Sequence, residues 1–242
     1  MHTQLSQQTR EILTQVSTAT LTTQLFKRGL RNVCLRGVKR LTRGGPNMVG
    51  PAFTVRNLPA REDLDQLSVF ENPDHPQRKS IELMPEGFVM VVECRGETDA
   101  ASGGHILMTR LELRGASGFV SDGGVRDSAS IAQQDMPVFC AGPAAPLNLA
   151  RHHAVDFDIP VACGGVAVYP GDVMAGDADG VVVIPRYLAD EVAADAARQE
   201  QFEVFVLELV RSGRPLAGTY PPNADTLAEY ETWKAGQEAV GA

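Results

Sequence analysis

The sequence predicts an α/β domain. Three observations carry that prediction. Between Gly103 and Gly142, apolar stretches of helical period alternate with short apolar runs of strand length. From Ile159 to Pro185 (IPVACGGVAVYPGDVMAGDADGVVVIP), valine-rich runs are separated by Pro170-Gly171-Asp172 and Asp179-Gly180, which is turn chemistry. From Tyr187 to Ser212 the apolar positions, among them Val192, Phe202, Phe205, Leu209 and Val210, fit one face of a long helix that Gly213 ends.

The elements follow in order. Leu5, Ile12, Leu13 and Val16 recur at helical spacing. Ser17 to Thr23 (STATLTT) then supplies a cap and a fresh start for a second short helix, ending near Gly29. MVGPAFTV (48–55) and GFVMVVECRG (87–96) read as strands, the second buried on both faces because its apolar run is continuous. Between them Leu58 to Arg78, with Pro59, Pro73 and Pro76, reads as a long surface loop with a short helix at 62–70. A loop of that length in a compact domain is commonly functional or mobile. HILMTRLELRG is a helix opened by Gly103-Gly104 and closed by Gly115. SGFVSDGGVRD is a strand running into a glycine-rich turn, SASIAQQDM a helix and PVFCAG a strand. We expect one domain over 1–212. The remainder, 213–242, is expected as a tail that packs on the domain or on a neighbouring subunit. It holds Tyr220-Pro221-Pro222 and the only tryptophan, Trp233.

Composition excludes several classes. The chain has 242 residues, 43% hydrophobic and 21% charged, which is neither disordered nor low-complexity. Lys and Arg number 22 against 30 Asp and Glu, a net charge of −8, so a phosphate-gripping nucleic-acid binder is not expected. No apolar run approaches the ~20 residues of a membrane span. The first residues lack a basic stretch followed by an apolar core, so the expectation is a cytoplasmic protein without a membrane partner. Cys34, Cys94, Cys140 and Cys163 show no CxxC or metal-finger spacing and read as reduced cysteines in or near the core.

Phosphate-loop, dinucleotide, zinc-protease and serine-hydrolase signatures are absent. No lysine lies between residues 80 and 233, so Schiff-base chemistry is poorly supplied. The densest constellation is Ser121-Asp122-Gly123-Gly124-Val125-Arg126-Asp127. Its glycines let backbone approach a ligand closely, its guanidinium can bind a carboxylate or oxyanion, and its last carboxylate can hold Mg²⁺ or Mn²⁺. The plainer alternative is a turn with an internal Arg–Asp pair. Gly103-Gly104 opens a helix, and N–H groups at a helix start attract anions; the plainer alternative is simple helix entry. His105 stands beside them, as a base or as a structural residue. His152-His153 (RHHAVDF) reads as surface or loop. The DADG stretch lacks the rest of a calcium-loop signature and reads as a hairpin turn.

Residues 18–212 resemble the RraA-like family, which includes 4-hydroxy-4-methyl-2-oxoglutarate aldolases. The matching pieces are TATLTTQL (18–25), VGPAFTV (49–55), GGHIL (103–107), RGASGFVSDGGVRD (114–127), PVFCAG (137–142) and VYPGDVMAGDADGVVVIP (168–185). The resemblance implies a swivelling β/β/α sandwich, with N-terminal helices and a C-terminal helix plus extended tail. It also implies a homotrimer or dimer of trimers with sites between subunits, and a Mg²⁺- or Mn²⁺-dependent pyruvate aldolase that also decarboxylates oxaloacetate. Carried over, Arg126 contacts the 2-oxo acid substrate and Asp127 supports the metal. The backbone of Gly104, His105, Ile106 and Leu107 holds the substrate carboxylate. A glutamate from a neighbour's last long helix joins the site, Glu203 first and Glu200 second by distance from Gly213.

One departure stands out. The aldolases carry an acidic residue 21 positions before the arginine, and here that position is His105. Either His105 takes over as general base, for which an imidazole is suited at neutral pH, or the substrate differs. A lyase or dehydratase for sugar-acid-derived 2-oxo acids fits the second case. A non-catalytic, protein-binding regulator of a ribonuclease is the competing class, since family members carry that description.

Overall fold

A computed structural model describes residues 4–240. The chain divides into two compact units, one running to Ala193 and one starting at Ala194.

In the first unit α1 (Gln7–Gln15) and α2 (Thr18–Lys27) each begin on a serine. Ser6 Oγ accepts the Thr9 N–H at 3.0 Å and Ser17 Oγ the Thr20 N–H at 3.1 Å. Then come β1 (Lys39–Arg40), β2 (Met48–Pro59), α3 (Pro76–Leu83), β3 (Val89–Glu93), α4 (His105–Leu113), β4 (Gly118–Ser121), β5 (Gly124–Val125), α5 (Ser128–Ile131), β6 (Val138–Cys140) and β7 (Gly142–Pro143). The remainder of the unit is β8 (His152–Phe157), β9 (Val161–Cys163), β10 (Val166–Val168), β11 (Val173–Gly176), β12 (Val181–Ile184) and the first residues of α6 (Ala189–Arg211). The main sheet runs β1-β6-β4-β3-β2-β11-β12, with β8 paired to the far half of β2. β2, β3, β4 and β6 are parallel and the outer pairings antiparallel. This mixed α/β architecture matches the expected class.

The parallel strands are buried on both faces, as their continuous apolar runs require. One cluster, with Phe53, Met90, Met108, Leu111 and Phe119, fills the side that α3 and α4 cover. A second, with Leu35, Val89, Val120, Phe139 and Met174, fills the other side of the sheet. The DADG stretch is the β11–β12 hairpin turn, as expected. Its Asp177 accepts from the Thr18 N–H and hydroxyl, each at 2.7 Å, and so anchors the start of α2.

Several expectations need correction. Pro76 lies in the first turn of a helix, α3, that the loop reading of 58–78 missed. The short helix placed at 62–70 is a 3-10 segment at Leu67–Glu71. The helix expected over 128–136 closes after Ile131. His152 is not surface: it sits in β8 with 1% exposure. Cys34 is exposed, while Cys94, Cys140 and Cys163 are buried, all four as free thiols.

In the second unit the residues expected as a tail form α7 (Ala224–Val240). Phe205 packs on Trp233 and Tyr230 at 5.6 Å each, and Arg214 pairs with Glu229 at 2.8 Å. The expected boundary at 212/213 falls at the end of α6, whereas the second unit begins at Ala194. No helix among the described residues is long and apolar enough to cross a membrane.

Candidate functional site

The segment before α4 and the turn after β4 are bonded together. The Arg126 N–H donates to the Gly103 carbonyl at 3.0 Å. Ser102 donates twice to the Gly124 carbonyl, from its N–H at 2.7 Å and its hydroxyl at 2.8 Å. Gly104 caps α4 without a side chain, so the first-turn N–H groups must find other partners. The His105 N–H donates to Asp127 Oδ2 at 3.2 Å, and the Leu107 and Met108 N–H groups turn back to the Gly104 carbonyl. The Ile106 N–H has no acceptor among the described residues. It is the anion-seeking group of this helix start.

Gly104 is required by its neighbours. A Cβ there would lie 2.8 Å from Arg126 Cγ and 2.9 Å from Asp127 Oδ2. Asp127 itself has φ 59°, in the left-handed region that aspartate tolerates better than most residues. Its carboxylate meets the start of α4 and does not cap α5, the helix it precedes. The Arg126 Nε lies 3.7 Å from Asp127 Oδ2, with both side chains about half exposed. That pair is loose and weak, and it leaves the guanidinium free for an anion.

These groups open on a cleft of about 250 Å³, lined by Phe70, Gln77, Arg78, Gly104, Ile106, Leu107, Arg126, Asp127 and Asn148, among others. Adjoining it, through the shared residues Gln77, Gly103, Leu107 and Asn148, a small cavity of about 10 Å³, room for one water, is lined by Asn57, Ser102 and His152, among others. His152 Nε2 lies 3.4 Å from the Ala100 carbonyl, while its Nδ1 is buried without a partner. Burial pushes its pKa below the ordinary histidine value.

The rest of the SDGGVRD motif serves the fold. Asp122 is 6% exposed, and its carboxylate accepts the N–H groups of Cys94 at 2.5 Å, Gly96 at 3.0 Å and Gly164 at 3.3 Å. A Cβ on Gly123 would strike Cys94, and one on Gly124 would strike Ala144. The close approach these glycines allow is to the protein's own chain, not to a ligand. The His105 imidazole has no hydrogen-bond or ion-pair partner among the described residues. Glu203 lies on α6 in the second unit, where its carboxylate accepts from Gln199 Nε2 at 2.9 Å and the Tyr220 hydroxyl at 3.5 Å; Glu200 precedes it on the same helix.

Among the described residues no three His, Cys, Asp or Glu side chains gather as a metal cage. Asp127 Oδ1 accepts no hydrogen bond among the described residues. One open carboxylate suits Mg²⁺, which keeps several waters and shares one or two carboxylates with substrate oxygens. It does not suit a closed zinc site. Phe70, Gln77, Arg78 and Asn148 are among the lining residues that escaped the sequence reading. Gln77 and Arg78 sit on the helix hidden behind Pro73 and Pro76.

Fold and cleft together define an α/β protein with an open, cationic cleft beside a helix start. The chain belongs to the RraA-like family: the family model described as "RraA-like: Aldolase/RraA" matches residues 16–183. A protein of Halalkalibacterium halodurans named "Putative 4-hydroxy-4-methyl-2-oxoglutarate aldolase" is 31% identical over 63% of this chain and 67% of its own length. An uncharacterized protein of Pseudomonas syringae pv. tomato superposes with a TM-score of 0.76 at 28% identity, over 90% of this chain and 99% of that one. Streptomyces coelicolor RraAS2, described as an unusual member of the RNase ES inhibitor RraA protein family, superposes with a TM-score of 0.73 at 30% identity, over 84% and 97%.

Proposed function

We propose that this protein is a lyase for a small 2-oxo acid. It either cleaves a 4-hydroxy-2-oxo acid by retro-aldol chemistry or decarboxylates oxaloacetate, in both cases through a pyruvate enolate. The supporting observation is the convergence of the Arg126 guanidinium, the Asp127 carboxylate and the open Ile106 N–H on one cleft. The aldolase name of the H. halodurans relative supports the same class.

Each group has a task. The substrate carboxylate docks at the Ile106 N–H, where the start of α4 favours negative charge. The Arg126 guanidinium faces the 2-oxo group and stabilises the oxyanion as charge develops there. Mg²⁺, or Mn²⁺, held by Asp127 directly or through water, supplies Lewis-acid polarisation of the 2-oxo group when bound. In the retro-aldol direction His105 takes the proton of the 4-hydroxyl as the C3–C4 bond breaks and its electrons pass into the enolate. Decarboxylation releases CO₂ and needs no base at that step. In this reading Glu203, or Glu200, enters a neighbour's site within a homotrimer or dimer of trimers in the cytoplasm.

The test is pyruvate release from oxaloacetate and from 4-hydroxy-4-methyl-2-oxoglutarate, with Mg²⁺ and with EDTA, for wild type and Arg126→Ala. Metal-dependent turnover lost in the variant is the expected result. No turnover on either substrate by folded protein overturns the aldolase assignment and leads to sugar-derived 2-oxo acids. The description of the S. coelicolor structure favours one second reading, a ribonuclease-binding regulator whose acidic surface meets a basic partner. Capture of a purified endonuclease, unaffected by Arg126→Ala and without lyase turnover, is its signature.

A further inference from the structure

The cleft holds a second cation that the chemistry above does not use. Arg78, on α3, lines it together with Arg126. The Arg78 guanidinium lies over the Phe70 ring, 4.6 Å from its centroid. It has no hydrogen bond and no carboxylate partner among the described residues. A guanidinium held over a ring by cation–π attraction need spend none of its N–H donors on that contact, and a carboxylate matches its N–H fork.

The placement is built. Gln77, next to Arg78, donates from Nε2 to the Ser102 carbonyl at 2.9 Å, which ties α3 to the segment that presents Gly103 and Gly104. Phe70 meets the His75 ring edge-on at 5.3 Å. The segment before Phe70 is pinned by Asp65, which accepts the Arg61 N–H at 2.7 Å and meets His153 Nδ1 at 2.7 Å. Arg78 and Arg126 are thus carried on elements bonded through one stretch of backbone, residues 102–104. Two guanidiniums against one carboxylate, Asp127, make the cleft cationic in a chain of net charge −8.

Resting on the 2-oxo acid reading, we propose that Arg78 is a specificity-determining residue. Its guanidinium receives a second carboxylate, at the end of the substrate remote from the 2-oxo acid group, so that the cleft selects dianions over monoanions of the same length.

The experiment uses two probes of equal length, 2-oxoglutarate and 2-oxopentanoate, which differ only in a terminal carboxylate against a methyl. Binding to the full chain is measured by calorimetry with Mg²⁺ present. Wild type is expected to bind 2-oxoglutarate roughly 10- to 100-fold tighter, the worth of one charge-assisted contact. Arg78→Met abolishes that preference and leaves 2-oxopentanoate within about twofold, Arg78→Lys keeps part of it, and Arg126→Ala weakens both probes alike. Equal affinities in wild type, equal loss of both probes in Arg78→Met, or no binding of either probe overturns the proposal. Pyruvate release is read separately. Preference without turnover keeps the role of Arg78 and removes the lyase reading; turnover without preference does the reverse.

Discussion

His105 and Asp127 are joined through the main chain: the His105 N–H donates to Asp127 Oδ2 at 3.2 Å, while the imidazole has no partner among the described residues. The carboxylate therefore fixes the start of α4 whatever side chain stands at 105. It is the backbone of that residue that joins the start of α4 to the turn after β4, beside the cleft that Gly104 and Ile106 line, and its side chain can be exchanged without disturbing that joint.

That separation makes the role of His105 testable. Retro-aldol cleavage needs a base for the 4-hydroxyl proton; decarboxylation does not. His105→Ala should lower retro-aldol kcat by about 10²–10⁴ and leave oxaloacetate decarboxylation within a few-fold. His105→Glu, which restores the acidic residue of the resembling aldolases, should recover part of the loss. Parallel losses on both substrates would assign His105 to something other than proton removal.

Gly104 is the position where crowding acts on the chemistry directly. A Cβ there meets Arg126 Cγ, close to the main chain, and not the mobile tip of the side chain. Gly104→Ala should therefore shift the guanidinium and cost on the order of 10²-fold in kcat/KM, as misplacement by about an ångström does. Because Gly104 has φ −132°, alanine adds no backbone strain there, and crowding against Arg126 and Asp127 alone should lower the melting temperature by only a few degrees. Steady-state kinetics beside a thermal melt check both halves.

Asp127→Asn keeps a residue type that tolerates φ 59° and a carbonyl oxygen to accept the His105 N–H. What it removes is charge. Turnover should fall by roughly 10²–10³ with little change in stability, and the Mg²⁺ concentration for half-maximal rate should rise. Unchanged rate and unchanged metal response would detach Asp127 from the metal.

The sequence disclosed the wall of the cleft better than its surroundings. Glycine before a helix and Arg-Asp after a strand are local patterns, and the contacts that join them are backbone bonds between neighbouring segments. What stayed hidden depended on packing. Pro73, Pro76 and the charges around them masked α3, although proline is compatible with a first helical turn, and Gln77 and Arg78 were lost with it. The RHHAVDF run looked polar, yet pairing of β8 with β2 turns His152 inward. Cys34 has apolar neighbours, but Val33 and Leu35 take the buried positions and the alternation of an extended segment leaves Cys34 outside. Gly123 and Gly124 announced a close approach without naming what approaches.

Asp122 tests the division of the motif between fold and site. Its carboxylate gathers three backbone N–H groups from two loops, a buried arrangement in which each charge-assisted bond counts. An asparagine offers one acceptor oxygen and turns an NH₂ toward those donors. Asp122→Asn should cost about 3 kcal/mol, roughly 6–12 °C in Tm for a chain of this size. Turnover per folded molecule should stay within about threefold, because no atom of Asp122 lines the cleft. A large loss of kcat without a change in Tm would move Asp122 from scaffold to chemistry.

The two buried histidines set an acid limit on stability. Burial lowers the pKa of His152 first of all, and it lowers that of His75, with Arg78 and then His153 adding to the effect. In the unfolded chain both return to the ordinary value near ~6.5. Above that value both states are neutral and these groups contribute no pH dependence. As pH falls below it, the unfolded chain binds protons that the folded chain still refuses, so stability drops, by at most ~1.4 kcal/mol per pH unit for each imidazole. Glu93 and Asp172, whose pKa values burial raises, act in the opposite sense but in the carboxylate range, at lower pH. Denaturant midpoints measured between pH 7.5 and 5.5 should therefore fall in wild type, fall less steeply in His75→Asn and His152→Asn, and be flattest in the double variant. An unchanged slope in the double variant would place the acid sensitivity elsewhere in the chain.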